Sequence, residues 1–294
     1  FFARTLTSSS SRYATRLLRY SSSISHWNTR RMSSQEPESK TNDDSFYMSG
    51  KDAAQLDVDL MDKNGKYQYE EPQLMELAGL SVASAIMDAY SNKHLSNTDK
   101  CEKALVLAGP GNNGGDGLVA ARHLKLFGIY DPIVYYPLKD KPKKPFYVNL
   151  LKQCEAFQIE VIKDFPSEQE LATYKLFIDA VFGYSFKGPL RGQWKEHFPV
   201  INKVCAANNI PIVAVDVPSG WNIDEGPHEQ DICLDAKILV SLSAPKKCSK
   251  DFKGIHYLGG RFMPQQICDR FKLKLPKYPG SAQCVRIDRI DSHL

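Results

Sequence analysis

Apolar residues along this chain fall into two alternating kinds of segment. Short runs that are apolar at nearly every position, as in strands buried on both faces of a sheet, lie at residues 104–108, 132–137, 160–162, 175–183, 210–220 and 236–243. Segments with helical spacing or composition lie at 70–90, 117–128, 145–158 and 194–209. This alternation is typical of a mainly parallel sheet covered by helices. It predicts one α/β domain over about residues 46–290, without an internal repeat.

Proline and glycine mark the ends of the predicted helices. Pro72 suits the first turn of the 70–90 helix, and Gly128 is a suitable C-cap for the 117–128 helix. The last of these helices is expected at least after Pro199. The closing segment "CVRIDRIDSHL" fits either a last strand or an exposed end.

The first 45 residues differ from the rest in charge. Residues 1–31 contain six arginines and no Asp or Glu, and the chain without them has 32 basic and 34 acidic residues. A leading segment rich in Arg and Ser and free of acid is typical of a mitochondrial transit peptide, although a plain disordered tail has the same composition. A shorter, cytosolic form could begin at Met32. Residues 33–45 are predicted to be a polar linker.

Composition argues against several other classes of protein. No stretch reaches the roughly 18 apolar residues of a membrane-spanning helix. The basic excess is confined to the front segment, which argues against a nucleic-acid-binding face. The seven cysteines are odd in number and lack C-x-x-C or metal-type spacing, so we expect reduced thiols; they are Cys101, Cys154, Cys205, Cys233, Cys248, Cys268 and Cys284.

Three unusual segments follow predicted strands. They are "GPGNNGGDG" after 104–108, "DAVFGYSFKGPLRG" after 176–178 and "DVPSGWNIDEG" after 212–215. Ligands of open α/β sheets bind outside the carboxyl ends of the strands. We therefore expect the three segments to open onto one rim.

The first segment resembles two phosphate-binding motifs and satisfies neither. Its glycines at 109, 111 and 114 fit the dinucleotide pattern, but no acid follows at the end of the second strand, where only Asp140 lies beyond a proline. Gly115 and Asp116 occupy the positions where a Walker loop has Lys and Ser or Thr. Backbone N–H groups at a helix N-terminus could still hold a pyrophosphate. Asp116 could cap that helix or belong to a site.

Asp179 and Asp216 each end an apolar strand, where a lone carboxylate is costly to bury. Each could be an N-cap, a partner of a Lys or Arg, or a cation ligand. Together with Asn113 and Ser219 they form an oxygen-rich set that suits a hard cation rather than zinc or copper. Lys187 is either a surface lysine or a cation for a phosphate.

The segments "GPGNNGGDGLVAARHL", "DAVFGYSFKGPLRG", "VDVPSGWNIDEG", "SLSAPK" and "HYLGGRF" resemble the YjeF N-terminal domain family of NAD(P)H-hydrate epimerases. The resemblance runs from about Met48 to Arg286. It implies a Rossmann-like three-layer α/β/α sandwich with a mainly parallel central sheet, commonly a homodimer in which the helix carrying "QLMELAG" lies near the partner.

The same resemblance implies a reaction. The substrate would be NADHX or NADPHX, which are nicotinamide cofactors with water added at ring carbon 6. The enzyme would interconvert their R and S forms, so that an ATP- or ADP-dependent dehydratase acting on the S form can restore the cofactor.

Site residues are implied as well. Substrate contacts would come from Asn112, Asn113, Gly114, Gly115, Asp116, Gly183, Tyr184, Ser185, Phe186, Lys187, Gly188, Pro189 and Asp216. One potassium ion per subunit would be held by Asn113, Asp179 and Ser219. Many relatives carry a polar residue at the position of Pro189, so only a backbone contact is expected there.

The reacting carbon is a hemiaminal, and its inversion requires an acid and a base that move a proton. Asp116 and Asp216 are the candidates, with Lys187 as a second proton carrier or a phosphate clamp. The sequence does not assign the acid and the base. Potassium would position Asn113, Asp179 and Ser219 and orient the pyrophosphate.

Two other functions fit parts of the pattern. Relatives serve as scaffolds in RNA decapping, and an animal member is described as binding apolipoprotein A-I, which would require secretion. The presence of Asp116, Asp179 and Asp216 favours an enzyme over such a non-catalytic role. An ordinary NAD(P) dehydrogenase is disfavoured because the ribose-binding acid is missing and no His–Asp or Tyr–Lys pair lies near the three segments.

Overall fold

The computed structural model describes residues 44–90, 101–142, 144–227 and 232–289. The predicted transit segment, and all but the last two residues of the predicted linker, lie outside these ranges. None of the described helices is long and apolar enough to cross a membrane.

Eight strands form one sheet. They are β1 (Glu102–Ala108), β2 (Tyr130–Tyr135), β3 (Glu160–Ile162), β4 (Leu176–Ala180), β5 (Ile212–Val215), β6 (Ile238–Leu242), β7 (Ile255–Gly259) and β8 (Val285–Arg286). Their order is β3-β2-β1-β4-β5-β6-β7-β8, and all neighbours are parallel except β7 and β8. The predicted Rossmann-like α/β class with a mainly parallel sheet is confirmed. The closing segment therefore contributes a last, antiparallel strand.

Seven α-helices accompany the sheet in the described ranges. They are α1 (Gly50–Met61), α2 (Glu71–Tyr90), α3 (Asn112–Phe127), α4 (Pro145–Ala156), α5 (Glu168–Leu171), α6 (Trp194–Asn208) and α7 (Gln265–Arg270). Short 3-10 helices lie at Asp44–Phe46 and Lys247–Asp251. Gly128 caps α3 with φ 73°, as predicted.

Apolar side chains cover both faces of the sheet. On one face Val106 and Ile178 pack with residues of α2, α3 and α4, such as Val82. On the other face Leu105 and Phe177 pack with α5 and α6. A third apolar cluster joins α1 to α7. Successive strand residues alternate between the faces, which explains why the strands are apolar at every position.

The strand order reverses between β1 and β4, so the segments that leave these two strands diverge. The register places Leu107 of β1 opposite Asp179 of β4, and Asp179 opposite Ala214 of β5. The carboxyl ends of the three strands are therefore level. A crevice at this switch point is where such sheets bind ligands.

The structure corrects the start of one predicted helix and fixes that of another, which the sequence had left open. α3 begins at Asn112 rather than residue 117, because glycines and asparagines that suggested a loop adopt helical geometry once packed. α6 begins at Trp194 and contains Pro199, so a single proline is tolerated in its second turn. α1, α5, α7 and β7 had not been predicted as elements.

Candidate functional site

A cavity of about 540 Å³ opens beside the switch point. Its wall combines the segments that follow β1, β4, β5 and β6 with residues of α1 and α2. Nine predicted substrate residues line it: Asn112, Asn113, Asp116, Gly183, Tyr184, Ser185, Phe186, Lys187 and Asp216. Gly114, Gly115, Gly188 and Pro189 do not line it. From the segment after β5 only Asp216 reaches the cavity, so the expectation that all three segments share one rim is only partly met.

The glycine-rich segment after β1 is the start of a helix rather than a free loop. Gly111 is the N-cap of α3 and provides no side-chain cap. Two glycines are required by close approach: a Cβ at Gly109 would stand 1.8 Å from the carbonyl oxygen of Val181, and one at Gly114 would stand 2.0 Å from that of Gly109. A Cβ at Gly111 would meet nothing within 4 Å. The helix N-terminus is thus open on its cavity side.

Asp116 is the fifth residue of α3, so it does not cap the helix. Its side chain is buried. Burial raises its pKa well above the usual range of an aspartate, and the carboxylates of Asp216 and Asp57 raise it further, whereas Lys246 opposes them. Asp116 therefore holds its proton to higher pH than an ordinary aspartate does. A neutral carboxylic acid can donate a hydrogen bond and a proton.

β5 and β6 both end in tight turns with unusual backbone geometry. Asp216 has φ 68° and Ser243 has φ 65°, values that are rare for residues other than glycine. Each is the centre of a γ-turn closed by a 2.8 Å N–H to C=O bond, from Val217 to Val215 and from Ala244 to Leu242. Backbone strain of this kind concentrates at functional sites. Both central residues line the cavity.

Asp216 forms an ion pair with Lys246. The two residues are 4% and 3% exposed, and the Lys246 ammonium also donates to the carbonyl oxygen of Leu242 at 2.7 Å. The other carboxylate oxygen of Asp216 accepts the backbone N–H of Tyr184 at 2.9 Å. Of the three alternatives for Asp216, pairing with a basic residue is therefore correct. Lys246 lies in "SLSAPK", and no pattern in the sequence had marked it as a site residue.

Asp179 is held by hydrogen bonds instead of an ion pair. It is 0% exposed, and among the described residues it forms no ion pair with a Lys or Arg. Ser219 donates its backbone N–H at 2.8 Å and its hydroxyl at 2.5 Å, and Val181 donates its N–H at 3.3 Å. Burial raises the pKa of Asp179 to about 6, against the lowering effect of these bonds.

Asn113 lies apart from this pair. In the described part of the chain it forms no hydrogen bond with Asp179 or Ser219, and its buried Nδ2 has no partner. Its Oδ1 and the Oδ2 of Asp216 both lie beside Gly183, because a Cβ there would stand 3.0 Å and 3.1 Å from them. The predicted oxygen cluster is therefore divided into a lower pair, Asp179 and Ser219, and an upper set at the cavity wall.

The segment from Phe182 to Tyr184 connects the two parts. Phe182 donates its N–H to the hydroxyl oxygen of Ser219 at 2.9 Å, while the Tyr184 N–H binds Asp216. Within the described ranges, His, Cys, Asp and Glu side chains nowhere form a group of three or more that could hold a metal ion. A cation at this site would have to be bound by hydroxyl, carbonyl and amide oxygens as well as by Asp179.

Asp57 is a site residue that sequence reasoning missed. It lies on α1, lines the cavity and accepts the Tyr184 hydroxyl at 2.5 Å. Burial raises the pKa of Asp57, against the effects of Tyr184 and Lys246. It could have been found only by recognising α1, where Asp57 shares a helical stripe with the buried Ala53, Leu56 and Leu60.

Two lysines lie at the mouth of the cavity. Lys187 is exposed and has no ion-pair partner among the described residues. Lys144, just before α4, donates to Glu71 at 2.7 Å and also to the Asn112 side chain.

Pro189 is exposed and follows a cis peptide bond. The seven cysteines, all in the described ranges, form no disulfide bond with one another.

The fold and cavity together define a Rossmann-like α/β protein with an acid-lined ligand site at its switch point. A sequence model of the family described as YjeF-related protein N-terminus matches residues 71–248, and the chain belongs to this family. The matched range excludes α1 and includes Lys246.

One solved structure supports the membership independently. The crystal structure of the yeast protein ynu0, YNL200c, is 40% identical and superposes with a TM-score of 0.74, covering 82% of this chain and 99% of that one.

Two further solved structures match more weakly. Shikimate dehydrogenase from Aquifex aeolicus is 18% identical with a TM-score of 0.26, over 45% of this chain and 41% of that one. A dipicolinate synthase chain from Bacillus halodurans is 14% identical with a TM-score of 0.31, over 75% and 53%. Neither likeness bears on function.

Proposed function

We propose that this protein is an isomerase that interconverts the R and S forms of NADHX and NADPHX. Membership of the family supports a function of this kind. The observation that carries the proposal is the pairing of two acids in one cavity. Asp116 is buried with a raised pKa, while Asp216 is fixed as a carboxylate by Lys246.

This pairing matches what the reaction needs. Inverting the hemiaminal carbon requires that a bond to it is broken and remade on the opposite face, with one group giving a proton and another accepting it. Two acids whose environments differ in this way commonly divide the acid and base roles. We assign proton donation to Asp116 and proton acceptance to Asp216.

The two candidate lysines take different parts. Lys187 is exposed at the mouth of the cavity, which suits contact with a phosphate rather than proton transfer in a dry site. Lys246 is buried and donates a hydrogen bond to Asp216. It is therefore the lysine that lies next to the proton-accepting carboxylate. The role of second proton carrier, expected for Lys187, is therefore better filled by Lys246.

A pyrophosphate would bind where α3 begins. Gly111 leaves space on the cavity side of the helix N-terminus, whose N–H groups favour an anion. Lys187 adds positive charge at the same mouth, where Lys144 is already paired with Glu71. This arrangement would leave the nicotinamide ring facing Asp116 and Asp216 deeper in the cavity.

Potassium fits the lower pair. Asp179 is a buried acid with no basic partner in the described ranges, and the Ser219 hydroxyl oxygen keeps a lone pair after accepting the Phe182 N–H. One ion per subunit would be held by these two residues and by the side-chain oxygen of Asn113, which lies beside Gly183 in the upper set. The ion would supply positive charge beneath the segment that carries Tyr184. Its role would be to position residues, with proton transfer left to the acids.

The remaining context is also proposed. The chain would act as a homodimer in mitochondria, with a cytosolic form possible from Met32. Its product would pass to the ATP- or ADP-dependent dehydratase. The three acids Asp116, Asp179 and Asp216 all lie in or beneath the cavity, which favours this role over a scaffold that binds apolipoprotein A-I.

The proposal is tested with the purified protein and the R-epimer of NADPHX, by following the approach to the R/S equilibrium by chromatography. Equilibration should be much faster than the spontaneous rate and should slow by at least about 100-fold in Asp116→Ala and Asp216→Ala. Asp140→Ala is the matched control, because Asp140 is an exposed acid paired with Lys163 away from the cavity. A spontaneous rate with folded wild-type protein would exclude the epimerase and leave a scaffold or ligand-binding role.

A further inference from the structure

We infer that Asp57, on helix α1, is a positioning residue of this active site: it holds Tyr184, and Tyr184 holds the Asp216–Lys246 pair. The inference rests on the proposed function and extends it to a helix that lies before the matched family segment.

The first step is that α1 is fixed against the site. Its buried residues Ala53, Leu56 and Leu60 pack in the apolar cluster with α7. Met48, just before α1, forms two backbone hydrogen bonds with the residues on either side of Lys246. Its N–H donates to the Pro245 carbonyl at 2.8 Å, and its own carbonyl accepts the Lys247 N–H at 3.0 Å.

The second step is that Asp57 is an acid on the packed face of α1. It follows Leu56 and lies one turn from Ala53 and Leu60, where an apolar residue would be expected. A carboxylate in such a position is unfavourable unless it is bonded. Its bond is to the Tyr184 hydroxyl at 2.5 Å.

The third step is that both polar groups of Tyr184 bind acids of the cavity. The hydroxyl binds Asp57 and the backbone N–H binds Asp216 at 2.9 Å. The ring also lies 5.8 Å from the ammonium of Lys246, within cation–π range. Tyr184 is thus fixed at one end by α1 and fixes the ion pair at the other.

The consequence is that loss of Asp57 should misplace the ion pair without removing any reacting group. We expect Asp57→Ala and Tyr184→Phe each to lower kcat by about 10- to 100-fold, the size of effect that small misplacements produce. KM should change little. The double variant should be no slower than Tyr184→Phe alone, because both changes break the same connection.

Asp57→Asn separates charge from position, since an amide oxygen still accepts the tyrosine hydroxyl. This variant should keep most of kcat while the alkaline limb of its pH profile moves to lower pH. The alkaline limb reflects the ionisation of Asp116. The charged groups around Asp116 are Asp216, Asp57, Lys246 and Glu71, and the Tyr147 hydroxyl faces it from α4. Removing one negative neighbour makes Asp116 easier to ionise.

Asp59→Asn is the matched control, because Asp59 is an acid on the same helix that contacts Arg270 outside the cavity. It should leave kcat and the pH profile unchanged. Equal losses in Asp59→Asn, or additive losses in the double variant, would overturn the inference. So would a loss in Asp57→Ala that simply follows a lower melting temperature.

Hydrogen exchange tests the connection without relying on activity. Amide exchange of residues 182–186 should become faster in Asp57→Ala and Tyr184→Phe, and should stay unchanged in Asp59→Asn. Unchanged exchange in all three would overturn the inference. If wild-type protein shows only the spontaneous epimerisation rate, the proposed function fails while the exchange result still decides whether Asp57 holds Tyr184.

Discussion

Lys246 and Asp216 are joined in an ion pair although they lie in the segments that follow different strands, β6 and β5. Nearly all solvent is excluded from both. Burial of two charges is expensive, and their attraction offsets it only when the remaining hydrogen-bonding groups are satisfied. Here Leu242 and Tyr184 satisfy them. The pair therefore fixes a carboxylate at the cavity wall in a single orientation.

Removing Lys246 alone should leave Asp216 buried without its partner. We predict that Lys246→Met lowers the free energy of unfolding by about 3–5 kcal/mol, the range for one partner lost from a buried pair. Asp216→Asn combined with Lys246→Met should recover part of this loss, since no charge is left unpaired. Urea denaturation measures both.

An exposed pair provides the control for this prediction. Lys237 pairs with Asp235 at the surface, so Lys237→Met should change stability by no more than about 1 kcal/mol. A loss in Lys246→Met no larger than this would contradict the view that the Asp216 pair is sealed from solvent.

Asp116 should lower stability at neutral pH while serving the reaction. Its pKa is raised in the folded state, so the unfolded chain loses the proton first as pH rises above about 4. Stability in wild type then falls with rising pH until the folded-state pKa is reached. Asp116→Asn does not titrate. It should gain stability relative to wild type by about 1.4 kcal/mol per pH unit over that window, while losing at least about 100-fold in rate.

Urea unfolding of wild type and Asp116→Asn at pH 5 and pH 7 measures this gain. Asp140→Asn, at an exposed position, should differ from wild type by the same amount at both pH values. A difference between Asp116→Asn and wild type that does not grow with pH would show that Asp116 ionises normally in the folded protein.

Alanine substitutions at three glycines near the start of α3 should have different effects on the stability of the protein. Gly109→Ala and Gly114→Ala would press a Cβ against backbone carbonyl oxygens, which cannot move as a flexible side chain can. Each should lose stability at or above the upper end of the about 1–3 kcal/mol range for overpacked sites. Gly111→Ala meets open space and should lose about 1 kcal/mol or less, from the weaker cap.

The Gly111→Ala variant also distinguishes an effect on stability from an effect on ligand binding. Gly111→Ala should fold almost normally yet weaken binding of NADPH, used as the probe in a fluorescence titration, because its methyl group enters the phosphate-binding space. Normal NADPH binding by Gly111→Ala would show that the pyrophosphate does not lie at this helix end.

Strand and helix periodicity was enough to predict a mainly parallel sheet, although not β7, and the edge of the sheet at which the cavity lies. Asp179 and Asp216 could be selected because each ends an apolar run, where a lone charge is costly to bury. Asp116 could be selected because it lies in the glycine-rich segment after β1. The Asp179–Ser219 contact depends on strand register, and parallel strands with level ends made it foreseeable.

Other parts of the site depend on packing between distant segments, which no local pattern records. Lys246 follows a proline and precedes another lysine, so it resembles an ordinary surface residue. Asp57 lies on a short helix with three other acidic or basic residues, and its buried stripe is narrow. The start of α3 was misplaced because its glycines signal a loop when tertiary contacts are ignored.

Potassium should stabilise the protein through Asp179 and Ser219. A bound ion adds about 1.4 kcal/mol to the free energy of unfolding once it is in tenfold excess over its dissociation constant. We predict that KCl raises the melting temperature above that in NaCl or choline chloride of equal ionic strength. Asp179→Asn and Ser219→Ala should lose this difference, since each removes an oxygen ligand or the bond that orients it.

Asp235→Asn is a suitable control, because Asp235 is an exposed acid outside the lower pair. It should keep the full response to potassium. Equal stabilisation by sodium, choline and potassium would exclude a selective site. A full potassium response in Asp179→Asn would place the ion elsewhere, and Asp179 would then be a buried acid held only by Ser219 and Val181, ionising near its pKa of about 6.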